Sequence, residues 1–198
     1  MAKKSDVNEY AAIYYAGERV PAPGKLFIVQ DLANAHFEED PEADRSRAPE
    51  PMSTWLRHFE LFPQNGRLSP GDTTHVLQFR HAIRRLLEAN HDGVPDKHAI
   101  AVLNRLATAA ILSVEFDADG TAALRPRATG IERVLGELLA VTFDAMRDGF
   151  WQHLKICRAD DCSWAFFDRS KNGSGAWCTM SGCGNRAKAK AYRERRKA

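Results

Sequence analysis

Apolar residues recur every three or four positions through much of residues 53–148, and that spacing predicts a series of helices. Ser53 is placed to cap a short one carrying Leu56, Phe59 and Phe62. Ser69, followed by Pro70 and Asp72, marks a longer one: proline suits the first helical position, and the acid answers free N–H groups of the first turn. Beyond it Val76, Phe79, Ile83 and Leu86 form a single stripe. Pro95 opens another helix, with Ile100, Leu103, Ala107 and Ala110 aligned. Then the period changes to two. Leu112, Val114 and Phe116 alternate with Ser113, Glu115 and Asp117, Asp119-Gly120 supplies a turn, and residues 121–125 return as the second strand of a hairpin. Thr129 and Glu132 fit a capping box for a helix carrying Ile131, Val134, Leu135, Leu138 and Leu139 and ending near Gly149. Residues 37–52, rich in acids and prolines, read as a surface loop.

All four cysteines fall within residues 157–183, spaced C-x4-C-x15-C-x4-C. Two close pairs joined by a short arm suit one tetrahedral zinc ion, each pair spanning an edge. Between the pairs, "SWAFFDRSKNGSGAW" reads as an apolar strand and an Asn172-Gly173 turn, a hairpin linking the thiolates. Four thiolates leave no open coordination position, so the metal is structural. Disulfides or free thiols are the alternatives. "MAKKSDVNEY" has no apolar stretch of an export signal, which points to the cytoplasm, where thiols stay reduced. The C-x-x-C of redox catalysts is absent. His153 is a spare ligand at most; its ordinary role is that of a polar surface residue.

Charge adds a direction. The net charge is +2, yet from Lys155 onward 11 Lys and Arg stand against 4 Asp and Glu, while residues 1–154 carry 17 against 22. A basic end on an acidic body favours an anionic partner such as nucleic acid. No apolar run approaches the ~20 residues of a membrane span. Gly184 is expected to supply the unusual backbone angles of a tight metal turn and Asn185 to cap a helix. On that helix Arg186, Lys190, Arg193 and Lys197 share one face; Lys188, Arg195 and Arg196 broaden it, and Tyr192 adds an aromatic ring. The bland alternative is a solvated helix complementing its own dipole and the acidic body.

"CGNR" (residues 183–186), with "WC" before it and "AKAKAYRERR" after it, resembles the CGNR zinc finger from about Leu154 to Lys197. In that family the finger follows a helical domain named ABATE, and the resemblance implies a bacterial, stress-induced transcription regulator. "FIVQDLANA" (residues 27–35) is similar to an N-terminal family motif through Asp31 and Asn34, and "FRHAIRRLLEA" (residues 79–89) to a Leu-Arg-x-Ala-Leu-Arg helix. One departure stands out: Gly175-Ala176 occupies the place of an Arg-Arg pair that commonly precedes the Trp-Cys step.

The expected fold is α+β: a predominantly helical N-terminal domain with an inserted β-hairpin, then a small treble-clef-like four-cysteine zinc finger made of a β-hairpin and a basic helix. The expected division is an extension (1–22), an ABATE-like domain (23–150) and a finger (151–198), with loss of zinc expected to unfold only about the last 45 residues and leave the helical body intact. Cys157, Cys162, Cys178 and Cys183 are the expected ligands of one zinc ion, and DNA is preferred to RNA as partner. A protein-interaction adaptor is the competing function. Asp31, Asn34, Arg80 and His81 are candidate contacts for a small-molecule effector, although short polar side chains such as Asp31 and Asn34 commonly bond local backbone instead. The body could equally serve to form a homodimer. No Ser-His-Asp order, phosphate loop or histidine metal motif is present, so no enzyme is expected.

Overall fold

Helix α1 (Leu26–Asn34) is the centre of the molecule, with eight of its nine residues buried. The structure, a computed structural model, describes residues 15, 17–40 and 50–196. Around α1 lie α2 (Met52–His58), α3 (Pro70–Asp92), α4 (Lys97–Ala110) and α5 (Gly130–Arg147). Between α4 and α5 the strands β1 (Leu112–Phe116) and β2 (Ala122–Pro126) form an antiparallel hairpin that packs on α5. A 3-10 turn (Trp151–His153) leads to a second antiparallel hairpin, β3 (Leu154–Ile156) with β4 (Ala165–Phe167). A π-turn (Met180–Gly184) then runs into α6 (Asn185–Arg195). A mostly helical body with a hairpin insertion, followed by a hairpin and a helix, is the architecture the residue pattern predicts.

Local chemistry explains the boundaries, with some corrections. At α3 the Ser69 hydroxyl accepts from the Asp72 N–H at 3.2 Å and Asp72 accepts from the Ser69 N–H at 2.8 Å, a complete capping box. The box expected at α5 does not form: Thr129 is the cap residue without a side-chain bond, and Glu132 lies 3.7 Å from His75. Pro51, not Ser53, precedes α2. Asp96 caps α4, so its buried stripe is Ala99, Val102, Leu103, Leu106 and Ala110, and Ile100 faces outward. In β1 the residues Val114 and Phe116 are exposed, because it is β2 that lies against α5. The segment 37–52 is not wholly surface: Phe37 and Asp40 are buried, and Phe37 bridges Glu50; residues 41–49 lie outside the described residues.

Body and finger share one hydrophobic core. Trp164, Ala165, Phe166 and Cys157 belong to the same buried cluster as Val29, Leu32, Phe79 and Leu135. Polar bonds stitch the seam. The Asn34 carboxamide donates to the Ala165 carbonyl at 2.8 Å and accepts from the Ala165 N–H at 2.7 Å, acting as a one-residue third strand on the edge of β4. Gln30 accepts from the Ala22 N–H at 2.6 Å and donates to the Ala165 carbonyl. Arg84 donates to the Ala33 carbonyl at 2.6 Å, satisfying a free carbonyl at the end of α1, and to the Ser163 carbonyl at 2.9 Å. At the end of α3, Asn90 bonds the Trp151 and Leu154 carbonyls and His91 the Ile156 carbonyl. Body and finger thus pack as one continuous unit.

Of the expected N-terminal extension, residues 1–14 and 16 lie outside the described residues, but the part that follows is woven into this seam. Tyr15 donates to Asp31 at 3.2 Å, Arg19 stacks 4.3 Å from the Trp164 ring, and Glu18 accepts from the Met180 and Ser181 N–H groups. Replacing Asn34 with alanine strands the buried Ala165 N–H and leaves the Ala165 carbonyl with the Gln30 donor, at a cost of about 2 kcal/mol. Urea unfolding of Asn34→Ala should show this loss in a single transition, with tryptophan fluorescence and far-UV signal coincident.

Candidate metal centre and basic helix

The four cysteine sulfurs converge within 4.8 Å of one another. Cys162 and Cys178 sulfurs lie 3.7 Å apart, and those of Cys178 and Cys183 3.6 Å apart. A tetrahedral zinc shell with Zn–S bonds of ~2.3 Å has S···S edges of ~3.8 Å, so the spacing fits a zinc ion at the centre. Hydrogen bonds from the Cys162 and Cys178 thiols hold Cys157 as a thiolate, with a pKa of about 3, while the same crowding drives Cys178 up. A cation seated between the sulfurs would let all four ionise together. The first pair occupies the turn of the β3–β4 hairpin, so the hairpin carries that pair at its tip rather than linking the two pairs as expected. Of the second pair, Cys178 precedes the π-turn and Cys183 lies within it, where the Thr179 hydroxyl caps the Cys183 N–H at 3.4 Å.

Two glycines matter through what they lack. Gly184 has ordinary helical angles, not the unusual ones expected, but a Cβ there would lie 2.8 Å from the Met180 sulfur and 3.2 Å from the Trp177 ring. At Gly175 a Cβ would lie 2.6 Å from the Asp168 Oδ1, and the Gly175 N–H instead donates to Oδ2 at 2.7 Å. Asp168 is buried and paired with buried Lys155 at 3.1 Å, and Lys155 also donates to the Gly173 carbonyl. Burial works against ionisation of Asp168, but bonds from Ser170, Lys155 and Gly175 outweigh it and set its pKa at about 2. This strut closes the loop between β4 and the second thiol pair. His153 is part of it: Nδ1 bonds the Asp168 carbonyl at 2.9 Å, away from any ligand role.

The basic helix α6 leaves the cluster with all its cations exposed. Arg186 donates to Asp161 at 3.0 Å and to the Cys183 sulfur at 3.2 Å, and Lys190 pairs with Asp160. These acids stand in the knuckle between Cys157 and Cys162, and they raise the pKa values of Arg186 and Lys190 further. Arg193 bonds the Ala189 carbonyl, Arg196 lies 5.9 Å from the Tyr192 ring, and Lys197 is outside the described residues. Asn185 does not cap the helix; it is the first helical residue and bonds back to the Ser181 carbonyl.

Residues 28–149 match the family model described as ABATE, "Putative stress-induced transcription regulator", and residues 153–196 match the CGNR zinc finger. The chain belongs to the ABATE family. No curated protein matches the sequence. Membership places this ABATE chain, with its CGNR finger, among proteins described as transcription regulators, and the clustered thiols form a metal site of the zinc-finger type.

The ABATE body handles the candidate effector residues differently from expectation. Asp31, Asn34 and Arg80 are buried and engaged within the chain. Asp31 accepts from the Trp55 ring N–H at 2.8 Å and from Tyr15, and Asn34 holds β4, so their bonds are long-range rather than local. Arg80 pairs with buried Asp40 at 2.8 Å, and His81, partly exposed, reaches the same carboxylate at 3.0 Å. A ligand contacting Asp31, Asn34 or Arg80 would have to displace a protein partner. Asp40 was not legible as a core residue because it stands in a proline- and acid-rich stretch. Elsewhere a cavity of about 400 Å³ opens beneath the β1–β2 hairpin, lined by Ile28, Leu61, Leu138 and Val141 with Lys25 and Glu60. Glu60 is left-handed, with φ of 56°, at the end of α2.

Asp168→Asn should lower stability by about 2 kcal/mol at pH 7. Because the folded pKa lies below the ordinary ~3.9, this contribution is present above about pH 5 and is lost as pH falls toward 2. The gap between wild type and variant, measured by urea unfolding, should therefore stay constant down to about pH 5 and narrow below it.

Proposed function

We propose that the chain is a cytoplasmic one-component regulator that contacts DNA through its zinc-loaded finger while the helical body senses a small molecule. One observation supports the DNA arm above all: a four-sulfur cluster of zinc dimensions joined directly to an exposed cationic helix. The metal adds folding free energy to the unit that finger and body form together. Its closed thiolate shell gives it no catalytic position, and this reading assigns the body no reaction. Cys157, Cys162, Cys178 and Cys183 hold one ion per chain. The sensing arm rests on the cavity beneath the hairpin, whose apolar residues lie among Lys25, Glu60, Arg125, Glu137 and Asp144, a mixed lining that suits a small polar molecule. Dimerisation through the body is the alternative use of that region.

The expected metal content is one zinc per chain, and fluorescence anisotropy with a labelled duplex should show log K falling linearly with log salt. Chelation should weaken binding at least tenfold. Tighter binding to single-stranded RNA would reassign the partner to RNA, and capture of an acidic protein without any nucleic-acid affinity would make the finger an adaptor.

A further inference from the structure

We propose that the nucleic-acid-facing surface of α6 is the face carrying Lys188, Tyr192, Arg195 and Arg196, and that Arg186 and Lys190 are positioning residues turned toward the finger itself; this rests on the DNA reading above. At 100° per residue, Arg186, Lys190 and Arg193 lie on one side of α6, and Lys188, Tyr192 and Arg195 on the other. The first side is the one the cation spacing singles out. It faces a groove of about 470 Å³ walled by Asp160, Asp161 and Trp177. There two of the cations are paired: Arg186 meets Asp161 and Lys190 meets Asp160, while Arg158, Arg193 and Glu194 line the same groove. A polyanion entering it would have to displace the Asp160 and Asp161 carboxylates before it engaged Lys190 or Arg186.

The opposite side carries no acid. Among the described residues Lys188 and Arg195 have no ion-pair partner, and Arg196 lies over Tyr192, itself 55% exposed. Three cations beside an exposed aromatic ring, on a helix held by the metal turn, fit a phosphate backbone with room for one stacked or packed sugar–base edge. Arg186 has a different task. Its guanidinium bridges the Cys183 sulfur and the Asp161 carboxylate, so it ties the start of α6 to the first knuckle and offsets the negative charge of the tetrathiolate. Lys190 repeats the tie one turn later.

Anisotropy titrations of the full zinc-loaded chain on one labelled duplex, across a range of salt, separate the two faces. Each phosphate contact contributes about 0.9 to the salt slope. Lys188→Gln/Arg195→Gln/Arg196→Gln should lower that slope by about 2 to 3 and weaken binding at least tenfold, with zinc content unchanged. Arg186→Gln should leave the slope within about 0.5 of wild type but speed zinc loss to a chelator severalfold, with Arg186→Lys restoring part of the retention. A slope reduced by Arg186→Gln/Lys190→Gln and untouched by the triple variant would overturn the assignment while leaving the DNA reading standing. Wild-type protein that shows no salt-dependent binding to any duplex would overturn both.

Discussion

A single carboxamide decides how the molecule is put together. Asn34, at the end of the most deeply buried helix, uses both of its hydrogen-bonding groups on the backbone of one residue of the finger, Ala165. Two buried backbone groups at a strand edge must find partners, and in this chain they find a side chain of the body. Because Trp164 and Phe166 flank that residue and enter the common core, the strand cannot leave the body without exposing them. The metal cluster, one residue beyond β3, is therefore held against the helices and not carried on a tether.

That attachment changes what the metal is for. In an isolated finger the ion would organise a nearly coreless segment. Here the β3–β4 hairpin shares the body's core, so the ion supports hairpin and body together and also fixes where α6 points. The second thiol pair, the Thr179 cap and the Arg186 bridge all act at the root of that helix. Glu18 adds a fourth hold from the opposite end of the described chain, accepting from the N–H groups that open the π-turn. A change in the body near α1 thus has a short physical route to the basic helix, through Tyr15, Asn34 and the strand they border.

Much of the secondary structure was legible because it obeys local rules. The Ser69–Asp72 box, the Asp119-Gly120 turn and the thiol spacing each declare themselves within a few residues. What escaped depends on distant partners. Asp40 reads as one more acid in a polar stretch until Arg80, forty positions away, is seen beside it. Asn34 reads as a helix residue with a local bond, since nothing near it in the chain announces a strand 131 positions on. The pairing of α6 escaped for a related reason: helical spacing groups Arg186 with Lys190, but it cannot report that Asp160 and Asp161 stand opposite them. Gly184 signalled tightness correctly and its cause wrongly, a missing side chain rather than special angles.

If body and finger are one unit, the body must feel the loss of the metal. Amide hydrogen exchange along α1, before and after removal of the ion by a chelator, tests this most directly. The account predicts that α1 amides lose protection together with those of β3 and β4. Full protection along α1 while the finger exchanges freely would contradict it.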